Sequence, residues 1–107
     1  MRKEKKWHII DDDMRIDMRF EVESGDIKHF AINVALLADD RAEDVFRVDT
    51  AHKGLHTMRF WISPEPRYLE TRRKNRYNAE FNEWKKEVMD NCRRWVELYK
   101  KKKDSTD

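Results

Sequence analysis

From Met14 to Val22 the chain alternates strictly. Met14, Ile16, Met18, Phe20 and Val22 fall on one side, and Arg15, Asp17, Arg19 and Glu21 on the other. A period of two marks a strand half buried against a core. Ser24-Gly25-Asp26 follows as a turn, with Gly25 free to take positive φ. A second strand spans about Ile27 to Leu37. Its Phe30, Ile32, Val34 and Leu36 alternate with Ala31, Asn33, Ala35 and Leu37, so its other side is small or polar and uncharged. Ala38-Asp39-Asp40-Arg41-Ala42 reads as a connecting turn. A third strand, about Asp44 to Thr50, sets Phe46, Val48 and Thr50 against Arg47 and Asp49.

Ala51-His52-Lys53-Gly54-Leu55 is a hairpin loop. A fourth strand, about His56 to Ile62, then turns Met58, Phe60 and Ile62 inward, with His56 at the core edge on the same parity. Thr57, Arg59 and Trp61 point outward, onto the face that carries Arg47 and Asp49. Trp7-His8-Ile9-Ile10 offers at most a short additional edge strand. Strands joined in sequence by short turns form a meander.

Ser63-Pro64-Glu65-Pro66 ends the sheet, with Ser63 placed to cap a helix and Pro64 in its first turn. Beyond it Tyr77, Phe81, Trp84, Val88, Cys92, Trp95 and Tyr99 recur at spacings of three and four. That is one apolar stripe on a helix covering about residues 66–102. Glu70–Lys74, Asp90–Arg94 and Glu97–Lys101 support it at i,i+4 in the acid-first order. The expected fold is therefore α+β: a four-stranded antiparallel meander sheet packed on one long C-terminal helix. It forms a single domain over residues 1–107 and ends in a frayed basic tail, Lys100 to Lys103. A helix longer than the sheet is wide leaves an overhang that needs a partner, which predicts a homodimer.

Composition agrees with a small folded domain. Charged residues make up 43% of the chain and hydrophobic ones 38%, with four Trp, five Phe and three Tyr to close a core. Abundant Lys, Arg, Asp and Glu, two Gly and no Gln resemble heat-adapted proteins. One cysteine, Cys92, excludes an intrachain disulfide, and no apolar run approaches a membrane span or a signal peptide. A cytoplasmic protein with no membrane partner is expected. The net charge of +2 hides an asymmetry: residues 7–66 carry seven basic and thirteen acidic side chains, residues 67–103 thirteen basic and six acidic. Two readings compete: the two halves attract each other and present a mixed surface, or the outer face of the basic helix meets an anion such as nucleic acid.

Chemistry concentrates in Asp49-Thr50-Ala51-His52-Lys53-Gly54-Leu55-His56-Thr57-Met58-Arg59. Histidine gives and takes protons near neutral pH. His52 and His56 as base and acid, Asp49 orienting a histidine, and Lys53 and Arg59 on phosphate make a set suited to metal-independent RNA cleavage. Arg47, Arg59 and Trp61 on the open face add guanidinium groups for phosphate and an indole for base stacking. Two plainer readings stand beside this one. Asp49 and Thr50 bond the loop backbone, and the open face is solvated and salt-bridged with Trp61 under arginine stems. Two His and an Asp are also a donor set for a divalent ion, but no further ligand is evident, so no metal or cofactor is assigned. His8 and His29 stand isolated, and Cys92 has no adjacent histidine to activate it.

The stretch Phe46-Arg47-Val48-Asp49-Thr50-Ala51-His52-Lys53-Gly54-Leu55-His56-Thr57-Met58-Arg59-Phe60 resembles a signature of small prokaryotic proteins of unassigned function. It is also similar to TumE-like toxins of toxin–antitoxin pairs, which carry an Arg-Tyr-Asp stretch and a His-rich hairpin after two alternating strands. Arg47, Asp49, His52 and His56 correspond to that motif. The likeness covers about the middle half of the chain. This chain has fewer loop histidines and a longer C-terminal helix than those toxins. The resemblance implies a nucleic-acid target and an antitoxin or other protein partner. Two functions follow as expectations: a toxin-like protein acting on RNA by His-based acid–base chemistry, or a non-catalytic protein- or nucleic-acid-binding module. The second would use the open sheet face or the basic helix.

Overall fold

The computed structural model describes residues 2–51, 54–71 and 76–105. Six strands form one antiparallel sheet in chain order: β1 (Lys3–Asp11), β2 (Met14–Glu23), β3 (Asp26–Ala38), β4 (Arg41–Asp49), β5 (His56–Arg59) and β6 (Ser63–Tyr68). One helix, α1 (Asn78–Ser105), lies across one face and packs mainly on β3 and β4. The α+β class and the meander are as expected from the hydrophobic pattern, but the sheet has six strands where four were expected.

Both additional strands are edges. β1 is nine residues long and exposed throughout, so no apolar alternation marks it. Its lysines blunt an edge that would otherwise invite further pairing. β6 occupies the Ser63-Pro64-Glu65-Pro66 stretch read above as a helix start. Proline lacks an N–H, which an outermost strand does not need for pairing. The helix therefore begins twelve residues later than expected, at Asn78 rather than about residue 66.

Asn78 sets that start. Its side-chain oxygen accepts from Ile27 N at 2.9 Å and its amide donates to Gly25 O at 3.0 Å. Beside it Tyr77 N donates to Ile27 O, and Arg76 pairs with Asp26 at 2.8 Å. The helix entry is thus tied to the β2–β3 turn, where Ser24 and Gly25 both take positive φ, as a tight two-residue hairpin requires. Of the acid–base helix pairs expected above, Glu70–Lys74 lies partly outside the described residues.

The core lies between the sheet and the stripe of α1. Ile16, Ile32, Val34, Val45, Phe46 and Val48 from the strands meet Phe81, Val88, Cys92, Trp95 and Val96 from the helix. Burial pushes the Cys92 thiol up, which keeps it protonated and unreactive. A bulge opposite Val34 and Ala35 lets consecutive residues Val45 and Phe46 both become buried.

The helix C-terminus is held by ions. Asp13 pairs with Lys100 and with Arg93, the latter at 2.7 Å, and Glu43 pairs with Lys103. The Lys100 ammonium and then the Arg93 guanidinium hold the Asp13 carboxyl down at about 2. A folded value below the unfolded one means that these contacts add stability above about pH 4 and lose it as the pH falls toward 2. The melting temperature of the wild type should fall through that window. In Asp13→Asn it should start lower at pH 7 and decline less steeply, which a series of thermal melts would record.

Candidate functional site

Antiparallel partners point to the same side of a sheet, so register decides which side chains share a face. Arg47 is opposite Met58, Asp49 opposite His56, Val48 opposite Thr57 and Phe46 opposite Arg59. His56 therefore shares the open face with Asp49, whereas Thr57 and Arg59 share the helix face with Val48 and Phe46. This reverses the expected parity of the fourth strand. The loop between β4 and β5 holds an even number of residues, 50–55, and the alternation of β5 alone does not reveal it. Trp61 is likewise on the helix side, stacked against Trp95 at 5.8 Å and Phe46 at 6.4 Å.

The predicted site residues thus divide between two faces. Arg47, Asp49 and His56 sit together on the open face, and Arg59 and Trp61 sit together on the other. His52 and Lys53 lie outside the described residues.

Asp49 is committed to its surroundings. It is 4% exposed. One carboxylate oxygen accepts from Arg47 Nη2 at 2.7 Å and Nε at 3.0 Å, and the other accepts from Ala51 N at 2.6 Å. Burial works against its charge, but the Ala51 N–H and the Arg47 guanidinium outweigh it and hold the carboxyl below its ordinary value. Thr50 ties the same loop to β3: its hydroxyl oxygen accepts from Phe30 N at 3.0 Å, while Thr50 N donates to Phe30 O at 3.1 Å. His56 is 6% exposed, with Nδ1 against Gly54 O at 2.9 Å and its ring beside Tyr68. Asp49 therefore bonds the loop backbone, as expected, whereas the Thr50 hydroxyl bonds β3 instead.

Across the open face the register builds two rows. One runs Lys6, Arg19, Ala31, Asp49, His56, Tyr68, and the next runs His8, Asp17, Asn33, Arg47, Met58. Ala31 is small, so the sheet dips there. Two adjoining recesses of about 150 and 250 Å³ open over it and share Arg19 and Ala31. The first reaches Glu4, Glu21, His29 and Asp49, the second Lys6, His8, Asp17, Asn33 and Arg47.

The acids of this trough are already matched. Asp17 takes Arg15 Nε at 2.9 Å and the His8 ring, Glu21 faces Arg2 at 3.4 Å, Glu4 faces Lys6 at 3.5 Å, and Asp49 holds Arg47. Arg19, at the join, has no acidic partner among the described residues. Asn33 gives its amide to Asp44 at 3.1 Å and leaves its buried carbonyl oxygen without a partner.

Lys6, His8 and His29 were not gathered into a site by sequence reasoning. Their only signal is register: His8 lies across from Asp17, and His29 from Glu21. Among the described residues no three of His, Cys, Asp and Glu come together to hold a metal ion. No helix of the described residues is long and apolar enough to cross a membrane.

Residues 1–105 match the model of a family described as a domain of unknown function, DUF7718, and the chain belongs to that family. No curated protein and no solved structure matches it.

Proposed function

We propose, for this member of the DUF7718 family, a non-catalytic module that binds single-stranded RNA on the open face of its sheet. The observation that carries this reading is the isolation of Arg19. It stands at the centre of an uncovered trough in which each neighbouring acid already has a cation. A phosphate supplies the missing counter-charge and accepts from the guanidinium through two oxygens. Arg47 and Lys6 border the same trough and extend the contact along a backbone. The resemblance of the β4–β5 hairpin to TumE-like toxins points to the same class of target and to a protein partner that controls access to it.

One observation favours acid–base chemistry as a second reading. With Nδ1 of His56 engaged by the Gly54 carbonyl, Nε2 is the nitrogen left to exchange a proton. Binding is preferred because the His56 ring is buried and Asp49 is occupied by Arg47 and Ala51.

The test is a labelled single-stranded RNA titrated with purified protein in EDTA, followed by fluorescence anisotropy and then by a denaturing gel. The expected result is saturable binding that weakens with salt and leaves the RNA intact. Arg19→Glu should weaken it by about tenfold or more. Cleavage in EDTA that disappears in His56→Ala would move the protein to the second reading. Absence of both binding and cleavage would remove RNA as the target.

A further inference from the structure

On the opposite side of the sheet, between β5, β6 and α1, Trp61, Trp84, Arg59 and Arg67 line a recess of about 350 Å³. We propose that it is a second binding site, for a planar aromatic anion of the nucleoside-monophosphate class. This inference is independent of RNA binding on the open face, since it uses the other face and none of the same residues.

The floor of the recess is aromatic and rigid. Phe46 and Trp95 are buried and lie 4.2 Å apart at 24°, and Trp61 stacks on Trp95 at 20°. Trp84 leans on Phe46 from the helix at 5.8 Å and 30°. Trp61 and Trp84 are only half buried, although both carry large apolar rings that a core would normally cover. Their uncovered surface borders the recess, and such π-faces accept a flat ring whatever its hydrogen-bonding pattern.

Trp61 is also held in place. It sits in the β5–β6 turn, where Ile62 N donates to Arg59 O at 2.9 Å and Phe60 N to Val45 O at 3.0 Å. From α1, Lys102 Nζ donates to the carbonyls of Phe60 and Ile62, each at 3.3 Å. A site fixed before the ligand arrives loses little ordering entropy on binding.

The charge sits where an anion needs it. Arg59 is opposite Ser63 and Arg67 opposite Thr57, so both arginines leave the sheet on the helix side. Neither has an acidic partner among the described residues. The one acid lining the recess, Glu87, is turned along the helix to accept from the Asn91 amide at 3.2 Å and offsets only one of the two positive charges. Two like charges lining one recess call for a shared anion, and guanidinium groups match the oxygens of a phosphate. Indoles for the ring and arginines for the phosphate together define the ligand class.

The experiment titrates adenosine 5′-monophosphate into the full chain, following tryptophan fluorescence and calorimetric heat. Adenosine, inorganic phosphate and the Arg59→Ala/Arg67→Ala variant serve as comparisons. Arg67 is exposed and Arg59 half-buried, and circular dichroism checks that the variant folds. Saturable quenching by the monophosphate is expected. Adenosine should bind about tenfold more weakly, as should the monophosphate to the variant, and phosphate alone should leave the fluorescence unchanged. Absence of saturable binding by the monophosphate, equal affinity for adenosine, or equal affinity in the folded variant would each overturn the proposal.

Discussion

Phe46→Ala should cost about 3–5 kcal/mol of folding stability, the cost typical of emptying a buried phenylalanine site. A domain of this size has about 5–15 kcal/mol in total, so the variant should be partly unfolded near physiological temperature. The size of the effect follows from position. Phe46 is 2% exposed, lies opposite Val34 on the neighbouring strand, and touches Trp61, Trp84 and Trp95. Removing the ring leaves a cavity that three indoles, two fixed to α1 and one to the β5–β6 turn, cannot close together. Urea denaturation followed by circular dichroism measures the loss. Phe46→Leu, which keeps most of the volume, should lose much less. Equal losses for the two variants would mean that the cavity is not the cause.

The second large effect is expected at Asp49. Asp49→Ala removes three charge-assisted hydrogen bonds at once and leaves the Ala51 N–H and the Arg47 guanidinium unsatisfied. The expected cost is about 3 kcal/mol. Arg47 is 38% exposed at its side chain and relaxes into water, which keeps the figure from being larger. Asp49→Asn keeps an acceptor for Ala51 and should lose about half as much. Because the Asp49 carboxyl is held below its ordinary value, wild type owes this contribution to pH above about 4 and loses it in acid. The gap between wild type and Asp49→Asn should therefore narrow as the pH falls. Denaturation curves at pH 7 and in acid decide this. A gap that stays constant would remove the charge from the account.

How much of this was legible in the sequence depends on which elements carry a one-sided pattern. β2 and β3 alternate because one face of each is buried, and the stripe on α1 recurs because one side of the helix is buried. These gave the class, the meander and the packing of helix on sheet. β1 has no buried residue, so periodicity had nothing to report. β6 contains Pro64 and Pro66, whose local preferences fit a helix start as well as an edge strand. Asn78 held the true start, but its partners Gly25 and Ile27 are about fifty residues away in the chain.

The candidate site divides in the same way. Arg19 and Arg47 were legible as open-face residues, because β2 and β4 alternate clearly. The face of Arg59 and Trp61 was not, because a short strand takes its parity from the preceding loop. The consequence is geometric: the guanidinium and indole expected beside the histidines instead line a separate recess on the other side of the sheet.

The most direct test of the central claim is where RNA touches the protein. Isotope-labelled protein titrated with single-stranded RNA, read by NMR chemical-shift changes, gives that residue by residue. The largest changes are expected at Arg19, Ala31, Asn33 and Arg47 across the middle of the open face, with the outer surface of α1 unmoved. Changes centred on Lys85, Arg94 and Lys101 of the helix, with the open face silent, would contradict that claim.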